Sequence, residues 1–246
     1  MKNKYIVAID GRYLIGQKRG INQYIKNVIK QISHFDDRFS FIIFVNKNYY
    51  NKELLTNKNI EIIRTFNIIY PVWENLIFPM YAYKKGANLI HFTANTGGWL
   101  LPKFLSLKIL VTIHDVYFMK DKNIYPQSIN FKQFIGSLYR RLVVKNLAKS
   151  SNKIVTVSEF AKSEIHKYFE VELSKIEVIN NVLDNRYLDL IKKTIPQKKH
   201  NIIVLVGGDH PQKNVIQTVK LLDEYCHDIL LDWKVKICGL SKIKSQ

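Results

Sequence analysis

The sequence predicts an α/β protein in which helices cover both faces of a parallel sheet. One observation behind this is a rhythm along the chain: short β-branched or aromatic runs alternate with longer amphipathic stretches. A second is segment 205–214, which combines a buried strand, a glycine turn and the start of a helix. The composition, 47% hydrophobic and 24% charged over 246 residues, is that of a globular protein large enough to bury such a sheet.

The predicted elements follow from these runs in chain order. Ser158 is the predicted N-cap of one helix, and Glu159 in its first turn suits the helix dipole. Apolar residues spaced by three or four predict helices over residues 21–35, 129–149, 159–169 and 214–227. The predicted strands are residues 5–10, 39–45, 60–64, 89–92, 108–113, 153–157, 176–179, 202–206 and 235–238.

A linker at residues 192–201, with Pro196 and a cluster of two lysines and a histidine, divides the chain. We predict one domain over residues 1–195 and a second over residues 196–246. A parallel sheet needs several βα units to bury both of its faces, and the second segment has room for only one helix and two strands. The expectation is therefore a complete lobe followed by the opening of a truncated one.

The charge balance predicts an anionic partner. With 38 Lys and Arg against 20 Asp and Glu, the formal net charge is +18. A nucleic acid, a phospholipid surface or a phosphorylated substrate would suit it. The alternative is a lysine-rich composition without a specific partner. Nucleic acid is the weakest choice, because no basic groove interleaved with aromatic residues and no helix-turn-helix spacing is found.

Cysteine usage and apolar run lengths bear on the compartment. Cys226 and Cys238 are the only cysteines and lack a metal-ligand spacing, so we predict reduced, buried thiols in a cytoplasm and no metal site. The apolar run that follows Lys4 stops at Asp10, which is too short for a secretory signal. All apolar runs are far shorter than a membrane span.

Two glycine turns are candidate anion sites. In the first βα turn, Gly16 and Gly20 flank Lys18 and Arg19 directly before a helix, so free N–H groups and positive charge would converge there. This turn is neither a dinucleotide fingerprint nor a P-loop, and a flexible surface turn is the alternative. In the second turn, Gly208 precedes Lys213, an arrangement by which α/β folds present N–H groups and a lysine to phosphate.

His114 and Asp115 are the candidate reactive pair. They follow a predicted strand directly, and open α/β sheets bind ligands beyond the carboxyl ends of their strands. His91 ends another strand in the same way and is followed by the loop 93–98, which contains Asn95. A packed or surface histidine is the alternative for each. The candidate cleft residues are His91, Asn95, Ser158 and Glu159.

The segment between Asp121 and Glu159 contains no acid and several cations. The predicted helix 129–149 has two interpretations. It is either a basic amphipathic helix that lies on an anionic membrane, or a helix that packs on the core and exposes its cationic face to solvent. The two are compatible if the apolar stripe of Phe131, Ile135, Leu138 and Leu142 faces the core. The cations predicted to face a membrane are Arg140, Arg141, Lys145 and Lys149.

Six segments in this order resemble the family-4 glycosyltransferases of the two-domain GT-B fold. They are Gly16-x-x-Arg19-Gly20-Ile21-x-x-Tyr24, His91, residues 111–115 (Val-Thr-Ile-His-Asp), residues 155–162, residues 176–181 and Val206-Gly207-Gly208-x-x-Pro211-x-Lys213-Asn214. The resemblance covers nearly the whole chain. It implies a Rossmann-like N-terminal domain that holds the acceptor, and the start of a Rossmann-like C-terminal domain that holds a nucleotide-sugar.

The resemblance also implies roles for single residues. Gly16 and Gly20, with Arg19 between them, would approach the donor diphosphate, as would Gly208, and Lys213 would pair with it. His114, with Asp115 beside it, would contact the transferred sugar near the reacting centre. The resemblance implies retention of the anomeric configuration, usually without a metal, so no cofactor is expected besides the nucleotide-sugar that serves as donor substrate.

Two departures from the family pattern matter. The family commonly has Asn-Gly-Val-Asp at its interdomain turn, where this chain has Asn181-Val182-Leu183-Asp184 without the glycine. The family's acidic Glu-x7-Glu motif, which binds the donor, would lie beyond residue 246. We therefore expect an intact acceptor half with weak or no turnover by these residues alone.

The function expected from the sequence is a retaining, nucleotide-sugar-dependent glycosyltransferase of surface polysaccharide, lipopolysaccharide or glycolipid biosynthesis. Its acceptor would be a lipid-linked or free saccharide, and the basic face would hold it at the inner face of the membrane. The alternative is a non-catalytic acceptor-binding half of a split enzyme, whose partner is a separate donor-domain chain, or an interaction module.

Overall fold

Seven parallel strands form one sheet in the computed structural model. In chain order they are β1 (Tyr5–Asp10), β2 (Phe39–Asn46), β3 (Ile60–Thr65), β4 (Leu89–Phe92), β5 (Lys108–Thr112), β6 (Lys153–Thr156) and β7 (Ile176–Val178). Their order across the sheet is β3-β2-β1-β4-β5-β6-β7, and each neighbouring pair is parallel. The ends of these strands differ from the predicted ones by at most one residue, and the predicted α/β class is confirmed.

The structure describes residues 4–14, 20–32, 37–49, 59–66, 68–101, 105–120, 131–183, 185–193, 201–208, 213–226 and 233–239. The chain forms two compact units. Unit 1 comprises Met1–Met119 and Gly136–Asp184, and unit 2 comprises Lys120–Ile135 and Asn185–Gln246. The domain boundary between residues 195 and 196 stays a prediction.

The sheet of unit 1 reverses its direction of growth between β1 and β4. From β1 the chain builds outward to β3 and then returns to place β4 on the other side of β1. The register pairs Ile9 of β1 with His91 of β4, and His91 with Leu110 of β5. The carboxyl ends of these three strands therefore lie side by side at a topological switch point, the usual ligand position in open α/β sheets.

Both faces of this sheet are buried, as a parallel sheet requires. Successive residues of a strand point to opposite faces, so Ala8 and Phe44 belong to one apolar cluster while Ile9 and Ile43 belong to the other. The larger cluster contains fully buried aromatic side chains, each contributing about 1.5–3 kcal/mol relative to exposure. Those aromatic residues are Phe44, Trp73, Phe78, Phe92, Phe118 and Phe169.

Five helices follow strands of this sheet along the chain: α1 (Gly20–Ile32), α2 (Tyr70–Val72), α3 (Phe78–Lys84), α4 (Phe131–Ser150) and α5 (Glu159–Phe169). Helix α1 buries Ile25 and Ile29 in the smaller cluster, as its apolar spacing predicts. Helix α5 begins as predicted, because the Ser158 Oγ accepts a hydrogen bond of 3.1 Å from the backbone amide of Ala161.

Residues 70–84 form a helical segment that the sequence pattern does not predict. A π-helical turn, Trp73–Ile77, joins α2 to α3. Pro71 and Pro79 argue against one continuous helix, but each lies in the first turn of its own short helix, where a missing N–H costs little. The segment buries Trp73, Glu74 and Phe78 completely.

Helix α4 buries a different face from the one that its sequence indicates. Val144, Leu147 and Ala148 pack in the larger cluster, whereas the predicted core stripe is exposed where it is described: Ile135 by 51%, Leu138 by 51% and Leu142 by 61%. The core-facing interpretation of that stripe is wrong. With 3.6 residues per turn, the two apolar sets occupy separate faces of one helix, and the larger cluster takes only the C-terminal set.

Unit 2 contains the helices α6 (Asn185–Lys193) and α7 (Val215–Cys226) and a parallel pair of strands, β8 (Ile202–Val206) and β9 (Lys234–Cys238). Apolar side chains of both strands are exposed, with Val204 at 57%, Val206 at 84% and Val235 at 44%. Cys238 is a free and exposed thiol, so its predicted burial is wrong. Within the described part of the chain, none of the helices combines the length and hydropathy that crossing a membrane requires.

Candidate functional site

His114 lies at the switch point and is held by the loop that follows β4. Its Nε2 is 3.0 Å from the Thr93 carbonyl oxygen, and its backbone amide donates to the Asn95 Oδ1 at 2.7 Å. Because a carbonyl only accepts, Nε2 carries the ring proton and Nδ1 keeps a lone pair when the ring is neutral. Burial lowers the pKa of His114, which favours this neutral form.

Asp115 is directly beside this histidine in a half-buried position. Burial is the largest influence and raises the pKa of its carboxyl, against opposing hydrogen bonds from Tyr117 and Asn95 and the charges of His114 and Arg140. Its Oδ1 is buried and has no hydrogen-bond partner among the described residues. An acceptor oxygen in this state suits a donor hydroxyl from a ligand.

His91 lies in the buried layer of the site, at 6% exposure. Its Nε2 is 2.8 Å from the Thr112 Oγ1, which is also 3.0 Å from the Tyr24 hydroxyl. The Tyr24 ring meets the His114 imidazole edge to face, with centroids 4.8 Å apart. Burial lowers the pKa of His91 to about 4, so its ring is neutral at physiological pH.

A buried ionic network that the sequence pattern does not predict adjoins these histidines. Asp10, at the end of β1, accepts hydrogen bonds from the Arg12 guanidinium through both carboxylate oxygens, with Nε–Oδ1 at 2.9 Å and Nη2–Oδ2 at 2.7 Å. Arg12 Nη2 also reaches the Glu74 Oε1 at 3.2 Å. The Asp-Gly-Arg sequence directly after a buried strand is a signal that could have identified Asp10 and Arg12. Nothing in the sequence marks Glu74.

The other cleft candidates lie at two strand ends of unit 1. Asn95 follows β4 with φ at 58°, a left-handed conformation that asparagine tolerates well. Ser158 and Glu159 follow β6, where the Ser158 side chain caps α5 and Glu159 is exposed. The structure therefore brings Asn95 to the His114–Asp115 pair and gives Ser158 a structural contact.

The anion-site candidates fall in separate parts of the chain. Gly16 and Arg19 lie outside the described residues, and Gly20 begins α1. In unit 2 a Cβ placed on Gly208 would stand 3.7 Å from the Lys213 Cγ, so the glycine turn and the lysine are adjacent. Lys213 itself is exposed. Among the described residues no cluster of His, Cys, Asp or Glu is arranged to hold a metal ion.

The predicted membrane-facing cations all interact within the protein. The charge of Arg140 acts on Asp115, and the Arg141 Nε donates to the Phe118 carbonyl oxygen at 2.6 Å. Lys145 and Lys149 approach Glu170, with N–O distances of 3.7 and 3.0 Å. Contact of these four residues with a membrane stays a prediction.

Comparison with known proteins gives a consistent family. Residues 19–212 match the family model described as Glycosyltransferase Family 4. A curated relative, the O-antigen chain mannosyltransferase RfbU of Salmonella typhimurium, is 32% identical over 110 residues, which are 45% of this chain and 27% of the relative.

Solved structures share the fold at low identity. HepE of Anabaena, in complex with UDP and glucose, has 14% identity and a TM-score of 0.50, over 98% of this chain and 70% of that one. The lipopolysaccharide galactosyltransferase WaaB has 13% identity and a TM-score of 0.54, with the same coverage. The catalytic domain of starch synthase IV from Arabidopsis thaliana, bound to ADP and acarbose, has 12% identity and a TM-score of 0.56, over 96% of this chain and 68% of that one.

The buried state of His91 predicts acid sensitivity. Because the pKa of His91 falls from an ordinary value of 6.5 to about 4 on folding, its neutral ring stabilises the fold above pH 6.5. That contribution is lost as the pH falls toward 4, since the unfolded chain takes up the proton first; the loss by pH 4.5 is about 2–3 kcal/mol. Urea unfolding of the wild type and of His91→Gln at pH 7.5 and 4.5 measures it. Equal losses in the two proteins would contradict the assignment.

Proposed function

Because the chain belongs to Glycosyltransferase Family 4, we propose that it acts in sugar transfer from a nucleotide-sugar to a lipid-linked or saccharide acceptor of surface-polysaccharide or lipopolysaccharide biosynthesis. The observation that carries the proposal is the family match over residues 19–212, within which His114 and Asp115 occupy the switch point. The O-antigen mannosyltransferase supports the acceptor class. The chain covers about 70% of HepE and WaaB, and its match covers 27% of the mannosyltransferase, so we assign complete turnover to a protein that supplies the remaining residues as well.

On the acceptor side, the pair at the switch point has the chemistry that sugar hydroxyls require. The buried Asp115 Oδ1 can accept a hydrogen bond from a hydroxyl, and the neutral His114 ring has one acceptor nitrogen left after Nε2 donates to the Thr93 carbonyl. Both groups lie where little water competes, which strengthens each hydrogen bond. We assign them to the transferred sugar or the acceptor hydroxyl, with Asn95 as their support.

On the donor side, the reaction breaks the bond between the sugar and the diphosphate, and negative charge develops on the leaving oxygen. Lys213, which lies beside Gly208, would provide a cation for it. Gly16, Arg19 and Gly20 are the second proposed diphosphate contact. The solved structures with UDP and ADP support a nucleotide donor. Retention of anomeric configuration is part of the proposal.

The donor assignment predicts a selective loss of nucleotide affinity. In Lys213→Ala, removal of one charge-assisted hydrogen bond should weaken nucleoside diphosphate binding about tenfold, the equivalent of about 1.5 kcal/mol. Lys220→Ala, an exposed lysine of α7, is the matched control. Chemical-shift titration of the 246-residue chain with UDP, GDP and ADP measures weak binding directly. Identical affinities in the two variants would refute the role of Lys213, and micromolar binding would show that the donor site needs no further residues.

A second candidate is a non-catalytic, acceptor-binding half of a split glycosyltransferase, or an interaction module. The specific observation in its favour is the exposure of Val204, Val206 and Val235 in the strand pair of unit 2. Parallel strands are normally covered on both faces, so this pair is suited to receive further βα units.

Exposure of the second sheet predicts weak protection of its amides. In hydrogen–deuterium exchange, the amides of β8 and β9 should exchange at least tenfold faster than those of β1 and β4, because few buried contacts oppose their opening. A chain that supplies further βα units should increase their protection. Equal protection of both sheets in the isolated chain would remove the ground for the split-enzyme candidate.

We further propose that the protein associates with an anionic membrane at its cytoplasmic face, where lipid-linked acceptors would be met. The support is an apolar surface on α4, formed by Leu138 and Leu142, on a chain with a net charge of +18. Leu138 and Leu142 are one turn apart, so they present one face to a lipid surface. This surface differs from the cationic one that the sequence predicts.

Membrane association through this surface predicts a loss of vesicle binding in Leu138→Gln/Leu142→Gln. Removing two exposed leucines should lower the partition onto phosphatidylcholine vesicles with 25% phosphatidylglycerol about tenfold, since inserted leucine contributes about 1 kcal/mol or more. Leu173→Gln, with an equally exposed leucine, is the control. Sedimentation at 50 and 300 mM salt separates the apolar part from the screened, ionic part. Unchanged binding of the double variant would assign the attraction to charge alone.

A further inference from the structure

The loop that follows β4 determines both the orientation and the tautomer of His114. Thr93 accepts from the ring Nε2 through its carbonyl, and Asn95 accepts from the His114 amide through its side chain. The loop is itself anchored to the ends of β1 and β5. The Thr93 hydroxyl donates to the Asp10 carbonyl oxygen at 2.6 Å, and the backbone amide of Asn95 donates to the Thr112 carbonyl oxygen at 2.9 Å. Displacement of this loop would therefore move the imidazole.

The far side of the same loop is docked on the π-helical turn Trp73–Ile77. The Thr96 hydroxyl donates to the Glu74 Oε1 at 2.6 Å, and the backbone amide of Trp99 donates to the Asn75 Oδ1 at 3.1 Å. Any Cβ on Gly98 would collide with the Glu74 carbonyl oxygen, so the two backbones are in direct contact. π-Helical turns inside helices are frequent at functional sites.

Glu74 is a rigid anchor for this docking. Its side chain is fully buried, and both oxygens are occupied: Oε1 by Thr96 and Arg12, and Oε2 by the Tyr139 hydroxyl at 2.8 Å. Arg12 is fixed in turn by the Asp10 carboxylate and by the Trp73 ring, whose centroid is 5.0 Å from its guanidinium carbon. A carboxylate with this many partners cannot rotate without breaking several buried hydrogen bonds.

From these contacts we propose that Glu74 is a positioning residue for His114: through Thr96 it fixes the loop 93–98, and the loop holds the imidazole in its Nε2–H form with Nδ1 turned to the ligand. Glu74 touches no reacting atom itself. The inference rests on the proposed function only in assigning the ligand to His114, because the geometry of the loop is independent of transfer.

The state of the His114 ring tests the proposal without any donor or acceptor. Long-range ¹H–¹⁵N correlation spectra of the ¹⁵N-histidine-labelled chain report the tautomer and the pKa of each ring, and His114→Gln assigns the signals. The groups that face the imidazole are the Thr93 carbonyl, Asp115, Tyr24 of α1 and His91 of β4. Thr93 belongs to the loop and Asp115 receives a hydrogen bond from Asn95 of the loop, whereas Tyr24 and His91 lie on other elements.

Two variants interrupt the proposed connection at different points. Thr96→Val removes the hydroxyl that joins the loop to Glu74 and leaves the ionic network in place, and Glu74→Ala removes the anchor. In both we expect a mixture of His114 tautomers and a further fall of its pKa, because the hydrogen bond to the Thr93 carbonyl raises that pKa in the wild type. Glu74→Gln retains an oxygen for Thr96 and should keep the wild-type tautomer. Asn95→Ala, which frees the loop directly, should reproduce the Thr96→Val result.

His91 provides the internal control, since it bonds to Thr112 and not to the loop. Unchanged His91 signals show that a variant is folded at the site. A wild-type tautomer and pKa for His114 in Thr96→Val with unchanged His91 signals would overturn the proposal, even if Glu74→Ala fails to fold. Failure of the glycosyltransferase assignment would leave these spectra unaffected, so the two ideas are separable.

Discussion

The site depends on the need to satisfy polar groups where β1, β4 and β5 end together. At this edge the ladder of backbone hydrogen bonds stops while the surroundings remain buried, so each charged group needs a partner within the protein. Asp10 is 2% exposed and Glu74 is fully buried, and Arg12 forms an ion pair with both carboxylates. Burial raises the pKa of Glu74, while the charge of Arg12 and hydrogen bonds from Thr96 and Tyr139 act in the opposite direction. The network is therefore held by hydrogen bonds as much as by charge.

The same burial favours the neutral form of the two histidines, so this part of the chain has little positive charge to offer a diphosphate. His91 and His114 both have lowered pKa values, and the guanidinium of Arg12 is already shared by two carboxylates. The switch point of unit 1 therefore offers hydrogen-bond donors and acceptors more than free positive charge. A diphosphate would need cations from elsewhere, which is consistent with assigning it to the turn 16–20 and to Lys213.

The sequence predicts those features that local pattern determines. Buried parallel strands read as continuous β-branched runs, so the seven strands were located to within one residue, and His114 and Asp115 could be placed at a strand end. Glu74 could not be found in this way. It lies in a π-helical turn flanked by Pro71 and Pro79, residues that suggest an interruption, and its partners are 62 residues away at Arg12 and 65 residues away at Tyr139. Such a network exists only once tertiary packing has brought these distant residues together.

Helix α4 shows why a helical stripe alone does not identify the buried face. Apolar residues occur on two of its faces, and both sets fit a helical period. Packing uses the set that includes Val144 and Leu147, because this part of the helix lies in the larger cluster. Leu138 and Leu142 are left exposed without any acid on the helix to solubilise that face. Since Lys145 and Lys149 approach Glu170, their charge is partly compensated within the protein. What distinguishes this helix from an ordinary solvated one is thus its exposed leucines more than its cations, and the proposed contact with a lipid surface would bury them.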